Sequence, residues 1–587
     1  MMIKKAVSAF NRYGIFLLLY TLILVFCLLP YYRNGCLVLG GEGDYVINFT
    51  NHLKKFSFMW FSDYGLGMPN LSPSGVGINI LLLSLIERLF NVQAANFVLI
   101  FSIYFFPFLA FHLIAREVKS PPFLSFAIPF FYVFNPFMSI YLESFNQWNV
   151  FSAVAMPLFF WVILKNYRNV FKLFFHFGLL SLMLSFANTN YPMMVVIQIS
   201  LIFSLIFVCV YYNFKFIFKE FFVRYLLILF SFFLFNSWWL LNVSTAFTFA
   251  AKIYTKTFAS GWLQTVAHNS GPLVFKIFTL AFGFSDDPRY SFFSFWYSLG
   301  LVKFIIIIPI FTLVYLIFFY KPEMRRARFF KGLFLFLLIL IFFVKGSAAP
   351  FGFIYNLVFS FVPFFYIFKS PIEKFGLLYE FVFMLLLLFV ILEVRGHKIY
   401  RWIQLLFICY LLCCGIPLLT GNIFSDYRLN TIGYASRMYQ DKAEYVQMRQ
   451  LISNDPLEYR LLSLPGGGNY QVCLKNYGGK YYTGMDPLLT NTPKAYISLE
   501  HNIRILYEEI ADPEYNKLLG LYNIKKMVIN EDLIPWFGNV GPGDTEVLIG
   551  IFNDRWAHMD IGALKLYDNK DNFLPRIYIV GSGNGTD

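Results

Sequence analysis

The chain has 587 residues, of which 58% are hydrophobic, 21% aromatic and only 14% charged, with a mean hydropathy of +0.61. An ordinary soluble domain carries about 25% charged residues, so this composition excludes a soluble enzyme and describes a polytopic membrane protein. The formal net charge of +14 does not point to nucleic acid, because the basic residues stand in short clusters between apolar segments and not along one polar face.

The N-terminus is basic at Lys4, Lys5 and Arg12 and then apolar from Gly14 to Tyr32, with no small-residue cleavage site after the apolar run; it reads as an uncleaved first helix. A membrane-spanning helix needs about 20 mostly apolar residues. Eleven segments are expected to span: roughly 14–32, 93–115, 122–142, 149–165, 172–188, 191–212, 224–243, 297–319, 332–345, 376–393 and 402–420. With the N-terminus in the cytoplasm, every inner loop is basic. These loops carry Arg116 and Lys119; Lys165, Arg168 and Lys172; Lys215, Lys219 and Arg224; Lys321, Arg325, Arg326, Arg328 and Lys331; and Arg395, Lys398 and Arg401. Residues 76–92 are apolar but end in Glu87 and Arg88, and at this length they read as a helix lying at the outer interface. The odd number of spans then exports everything after about residue 420. The span centres read as nearly free of Asp, Glu, Lys and Arg.

The seven cysteines show no metal-ligand spacing and no disulfide framework. From about Gly421 the composition turns ordinary and a small extracytoplasmic α/β domain is expected at 421–587, following a membrane body at 1–420 whose first outer loop is 33–92. Helices are expected at Tyr434–Ile452 and Leu499–Leu519, the second closed at Gly520. Strands are expected at Tyr459–Leu464, Lys526–Ile529, Val547–Phe552, Ala563–Tyr567 and Arg576–Val580. The chain stops at Gly-Asn-Gly-Thr-Asp with no clear capping element, which reads as a piece of a longer protein.

The first outer loop opens with Gly40-Gly41-Glu42-Gly43-Asp44-Tyr45 and runs on through Asn51, His52, Trp60, Asp63 and Gly65-Leu66-Gly67-Met68-Pro69. A carboxylate at a water-restricted site is able to deprotonate an acceptor hydroxyl, and Asp44 is the candidate, with Glu42 second. Equally, both are solvated loop acids among glycines. Trp60 reads either as part of a sugar or lipid head-group surface or as a membrane-interface aromatic.

These residues carry a resemblance. Gly43-Asp44, Trp60, Gly65-Leu66-Gly67-Met68-Pro69 and Asn135-Pro136 resemble the N-terminal part of polytopic sugar transferases of the GT-C class, closest to the α-(1→3)-arabinofuranosyltransferase and YfhO-like group. Phe368-Lys369-Ser370-Pro371-Ile372-Glu373-Lys374-Phe375 is similar to that group's outer-loop pattern. The run Leu519–Ile529, with Leu566-Tyr567-Asp568-Asn569 and Leu574-Pro575-Arg576, is similar to exported domains of YfhO-like proteins. The resemblance implies a GT-C fold, Asp44 as the base and a sugar donor carried on polyprenyl phosphate. The chain departs from the family in lacking a paired acid in the first loop, which leaves metal use open, and in having Lys369 where relatives show Arg.

Lys369 and Lys374 stand in an outward loop, where the charge rule disfavours lysine. A lipid phosphate would account for them, and so would snorkelling at a helix end. Trp148, Asn188, Asn190 and Tyr191 fall at outer span ends, as do Glu143, Asn146, Gln147 and Asn236 to Trp239. They either line one cavity with Asp44 or serve as caps and anchors. His268, Asp286, Asp287 and Arg289 match no compact ligand set, so no metal ligands are assigned and a divalent cation is not indicated. The resulting expectation is a multi-pass plasma-membrane transferase moving a sugar from polyprenyl phosphate to an envelope glycan or glycolipid, with no nucleic-acid partner. The alternative is a transporter or flippase for lipid-linked oligosaccharide, which ordinarily buries charge at mid-span. A glycan-binding scaffold ranks third.

Overall fold

In the computed structural model, the description covers residues 2–38, 77–139, 147–188, 190–211, 218–253, 292–320, 327–420, 438–464, 514–534 and 545–570, with shorter stretches between them. The apolar part builds α1 (Met2–Leu28), α2 (Gly77–Leu89), α3 (Val92–Glu117), α4 (Pro122–Phe134), α5 (Gln147–Asn166), α6 (Val170–Met183), α7 (Tyr191–Tyr211), α8 (Phe218–Ile253), α9 (Phe292–Ser298), α10 (Gly300–Ile306), α11 (Ile308–Val314), α12 (Ala327–Val344), α13 (Gly352–Phe361), α14 (Pro371–Glu393) and α15 (Ile399–Leu419). Among the described residues, seven helical stretches are long and apolar enough to cross a membrane: Gly14–Tyr32, Val92–Glu117, Tyr191–Tyr211, Gly300–Phe319, Ala327–Val344, Pro371–Glu393 and Ile399–Leu419. That is fewer than the eleven expected. The other four expected spans fall on α4, α5 and α6, which are shorter apolar helices, and within α8.

The chain packs as two compact units, residues 1–30, 72–79 and 97–430 forming one and residues 31–71, 80–96 and 431–587 the other. Of residues 33–92, expected as the first outer loop, all but 72–79 therefore fall in the same unit as the C-terminal residues.

In the helical unit α14 is the central element. It is apolar on all sides, as a helix enclosed by others must be, and every residue from Lys374 to Ile391 is buried. It packs against α4, α5, α7 and α12. Phe381 alone meets Phe111, Phe160 and Phe203, edge to face, at ring-centroid distances of 6.2, 6.0 and 6.3 Å, which ties three helices to the centre.

The expected span 122–142 is interrupted. A residue preceding proline is pushed out of the helical region, and Asn135, before Pro136, adopts φ −68°, ψ 162° and ends α4. A short helical turn resumes at 136–139. Outer residues 346–375, expected as loop, contain the ten-residue helix α13, whose Phe353, Leu357 and Phe361 are exposed.

The second unit holds β1 (Leu37–Val38), β2 (Trp60–Phe61), β3 (Met68–Pro69), β4 (Ala435–Ser436), β5 (Met438–Tyr439), β6 (Arg460–Leu464), β7 (Val472–Lys475), β8 (Tyr481–Gly484), β9 (Ala495–Tyr496), β10 (Ile524–Asn530), β11 (Leu533–Ile534), β12 (His558–Ile561) and β13 (Leu564–Asp568). One sheet runs β9-β6-β10-β13-β12, parallel through its first three strands and antiparallel beyond. Its second strand, β6, is buried along its whole length, as a strand covered on both faces must be. Gly562, at φ +59°, makes the two-residue turn between β12 and β13. A second sheet pairs β11, β7, β8 and β4 in that order.

Four secondary-structure expectations change here. Val547–Phe552 is not a strand but lies in the helix Thr545–Asn553. Leu548 and Phe552, four residues apart, are both fully buried against the sheet while Val547 is exposed, so the helical spacing outweighed the β-branched composition. The expected helix at 434 begins only at Ala443, after β4 and β5. The helix expected from Leu499 is described only as Tyr515–Leu521, following turns at 509–511. It does not stop at Gly520: Asn523 takes the left-handed conformation, φ +59°, and feeds β10. The expected strand Arg576–Val580 lies outside the described residues.

The motif Leu519–Ile529 is thus a helix–turn–strand joint. Lys525 and Lys526 Nζ both reach Asp455 Oδ2, at 2.6 and 3.2 Å, and both ammonium groups stand over the Tyr459 ring. Burial works against the Asp455 carboxylate, but the bonds from Lys525, the Leu457 amide and Lys526 prevail and bring its pKa down to about 2. A carboxylate depressed below its unfolded value stabilises the fold above that unfolded value. We expect the second unit to keep this stability above about pH 4 and to lose it as pH falls towards about 2, with Asp455→Asn removing that part of the acid transition in a circular-dichroism titration.

Candidate functional site

Glu42 and Asp44 lie outside the described residues, but the chain is described on both sides of them. On the N-terminal side Asn96, fully buried near the start of α3, binds Val38 as a strand would: its Nδ2 donates to Val38 O at 3.0 Å and its Oδ1 accepts from Val38 N at 3.0 Å. The same Oδ1 accepts from the Tyr32 hydroxyl at 2.8 Å. β1 meanwhile pairs antiparallel with β5, Leu37 opposite Tyr439 and Val38 opposite Met438. On the C-terminal side Glu87 Oε2 on α2 accepts from Thr50 N and Thr50 Oγ1, at 2.9 and 3.0 Å. The described chain is thus held at a fixed point on either side of residues 39–47.

Removing the Asn96 side chain would take away the bonds to the buried N–H and C=O of Val38, at about 1–3 kcal/mol each. Asn96→Leu is expected to accelerate hydrogen exchange across residues 31–50 at least tenfold, measured by mass spectrometry on the folded protein.

Trp60 pairs with Pro69 across the β2–β3 hairpin and Phe61 with Met68, which brings the aromatic and the glycine-rich halves of the loop together. Trp148 is the second residue of α5, and Asn188 ends the 3-10 turn Ser185–Asn188. Asn190 caps α7, its carbonyl accepting from Met194 N at 2.9 Å and its Oδ1 from Met193 N at 3.5 Å. Tyr191 is the first residue of α7 and is half-buried. Asn236 is no cavity residue: fully buried in α8, it donates to Ser181 Oγ at 2.9 Å and accepts from Trp239 Nε1 at 2.9 Å, joining α8 to α6.

Lys369 and Lys374 flank the start of α14, whose first residue is Pro371. Lys369 is half-buried, while Lys374 is only 7% exposed and its Nζ donates to Glu373 Oε2 at 3.1 Å. Lys374 thus already has an acidic partner. Lys345, assigned from sequence to the end of a span, lies just past the end of α12 and is 5% exposed, a residue whose position no local pattern marked.

Sequence reading also passed over Glu380. It is fully buried at the middle of the most enclosed helix, and Asn135 Nδ2 donates to its Oε1. Asn135 is free to do so because α4 ends there. Its Nδ2 donates as well to Phe131 O and Tyr132 O, at 3.1 and 2.8 Å, and its Oδ1 accepts from Met138 N at 3.1 Å, starting the next turn. Among the described residues Glu380 Oε2 has no hydrogen-bond partner.

Among the described residues no three His, Cys, Asp or Glu side chains come together as metal ligands; His268, Asp286, Asp287 and Arg289 lie outside them.

No family model and no curated protein matches the chain by sequence. Solved structures do. The arabinofuranosyltransferase AftD from Mycobacteria superposes with a TM-score of 0.57 at 10% identity over 95% of this chain, and a mutant of the same enzyme with a TM-score of 0.52 at 10% identity over 95%. This chain spans about 40% of the length of those proteins. The fold is GT-C-like, in a mostly helical membrane protein.

Proposed function

We propose that the chain is a glycosyltransferase of the plasma membrane that moves a sugar from a polyprenyl-phosphate donor to an envelope glycan or glycolipid at the outer face. Asp44 takes the proton of the acceptor hydroxyl, with Glu42 as second choice; the hydroxyl oxygen bonds to the anomeric carbon; and the bond from that carbon to the phosphate oxygen breaks with inversion, releasing the lipid phosphate. Lys369 and Lys374 bind the phosphate as charge develops on it, and the helix N-terminus between them adds favourable partial charge. Trp60, Trp148, Asn188, Asn190 and Tyr191 line the approach. Eleven spans, a cytoplasmic N-terminus and an extracytoplasmic α/β domain at 421–587 belong to this reading, as does kinship with the α-(1→3)-arabinofuranosyltransferase and YfhO-like group.

The observation that carries the proposal is the pair of lysines at the head of the most enclosed helix of a GT-C-like fold. The test supplies membranes containing the protein with radiolabelled polyprenyl-phosphate sugars and envelope acceptor: transfer above that of empty membranes supports it, and none from any donor sinks it.

One observation favours the second reading, a flippase for lipid-linked oligosaccharide: Glu380 is a buried ionisable residue at mid-helix, the kind that marks transport pathways. Acceptor-independent movement of a labelled lipid-linked oligosaccharide across proteoliposomes, abolished in Glu380→Gln, would favour it.

A further inference from the structure

Lys345 follows α12 directly, and the chain turns sharply after it: Lys345 N donates to Ile341 O, Gly346 N to Phe343 O and Ala348 N to Lys345 O. Gly346 takes φ +57°, and a Cβ placed on it would fall 2.5 Å from Cγ of Pro371, so the backbone beside Lys345 lies directly on the first residue of α14. The rings of Phe343 and Phe375, one from each helix, are 5.1 Å apart and close the contact. This places the chain at Lys345 beside the segment that carries Lys369 and Lys374. The connection from α12 to α14 is also strained, since Phe351 and Phe364 both hold positive φ, at 62° and 64°.

The three lysines differ in how their charge is met. Lys374 has Glu373. Lys345 donates to Ala348 O at 2.8 Å and stands 4.9 Å from the centroid of the Phe342 ring; among the described residues no carboxylate is within ion-pairing distance of it. Buried charges in proteins are paired, because an isolated one forfeits its hydration without return. Burial accordingly lowers the Lys345 pKa. An ammonium carries three donors, and the carbonyl uses one.

We propose that Lys345 is the inner cation of an anion site, with Lys374 and Lys369 as its outer cations, and that the site takes the phosphate of a lipid-linked substrate. That the lipid carries a sugar rests on the transferase reading above; the phosphate site itself does not. The apolar surroundings suit an acyl or prenyl chain: Phe342, Phe343, Phe365 and Tyr366 pack around the buried Leu263, Tyr355 and Phe359, and α13 exposes Phe353, Leu357 and Phe361 within the same connection.

The experiment measures binding of a fluorescent polyprenyl monophosphate to the full chain in phosphatidylcholine nanodiscs, for wild type, Lys345→Met and Lys345→Arg, together with the unfolding temperature of each. Methionine matches the lysine stem in volume and removes the uncompensated charge. Lys345→Met is expected to weaken binding about tenfold to a hundredfold, the loss of one charge-assisted hydrogen bond, with no fall in unfolding temperature, and Lys345→Arg to keep most of the binding. Unchanged binding in Lys345→Met overturns the proposal. So does a chain that folds with arginine and not with methionine, which would make Lys345 a structural cap. Competition identifies the source of the phosphate: displacement of the probe by inorganic phosphate or by phosphatidylglycerol as complete as by unlabelled polyprenyl phosphate overturns the assignment to a lipid-linked substrate. Because binding is read without turnover, a protein that holds the probe through Lys345 and transfers no sugar sinks the transferase reading while leaving this site in place.

Discussion

Sugar transfer by Asp44→Asn is expected to fall at least about a hundredfold, with insertion and donor binding unchanged, because a positioned general base contributes about a hundredfold to ten-thousandfold. Asparagine keeps the shape and loses the ability to accept a proton, so the change isolates the chemistry from the packing. Glu42→Gln is expected to cost much less. On either side of the acidic residues, Val38 is fixed by Asn96 and β5, and Thr50 by Glu87. Equal transfer by wild type and Asp44→Asn would remove the base assignment, and a larger loss in Glu42→Gln would exchange the two roles.

Asn135→Leu is expected to destabilise the helical unit by about 2–6 kcal/mol, measured by reversible unfolding in bicelles. The substitution withdraws the donor from Glu380 Oε1 at a place where no water competes, and it also removes the acceptor for Met138 N. A buried polar group stripped of its partner costs about 1–3 kcal/mol, and two are stripped at once. Substituting both members, Asn135→Leu with Glu380→Met, is expected to cost less than Asn135→Leu alone, since a side chain with no polar atom has nothing left unsatisfied. A double variant less stable than the single one would show that the pair is not the source of the effect.

The apolar helices and the short helix before Val92 were legible because each follows from a local property: hydropathy over about 20 residues, or a run too short to span. The break at the Asn135-Pro136 step was passed over inside the expected span 122–142, although the backbone demand of proline is itself local. Lys369 and Lys374 were picked out for a similar reason, as basic residues in a segment expected on the side where the charge rule disfavours them. What could not be read depends on partners far away in the chain. Glu380 is one acid in a long apolar run, and its meaning comes from a residue 245 positions earlier. Lys345 looked like the last residue of a span; its importance lies in the turn after it and in Pro371. β1 is two residues long and has no pattern to detect. Val547–Phe552 failed in the opposite direction, since a short apolar run satisfies strand and helix templates alike and only the face to be covered decides.

The pairing of β1 with β5 constrains the order in which the protein can be made. Leu37 and Val38 leave the ribosome well before Met438 and Tyr439, which follow only after all the helices from α2 to α15 have been synthesised. During that interval the backbone of β1 would stand as an open edge, able to recruit a wrong strand. Asn96 arrives early, and its amide offers Val38 a donor and an acceptor in the geometry of a neighbouring strand. A single side chain thus supplies one rung beside β1 that is already in place when β5 is synthesised and pairs with it.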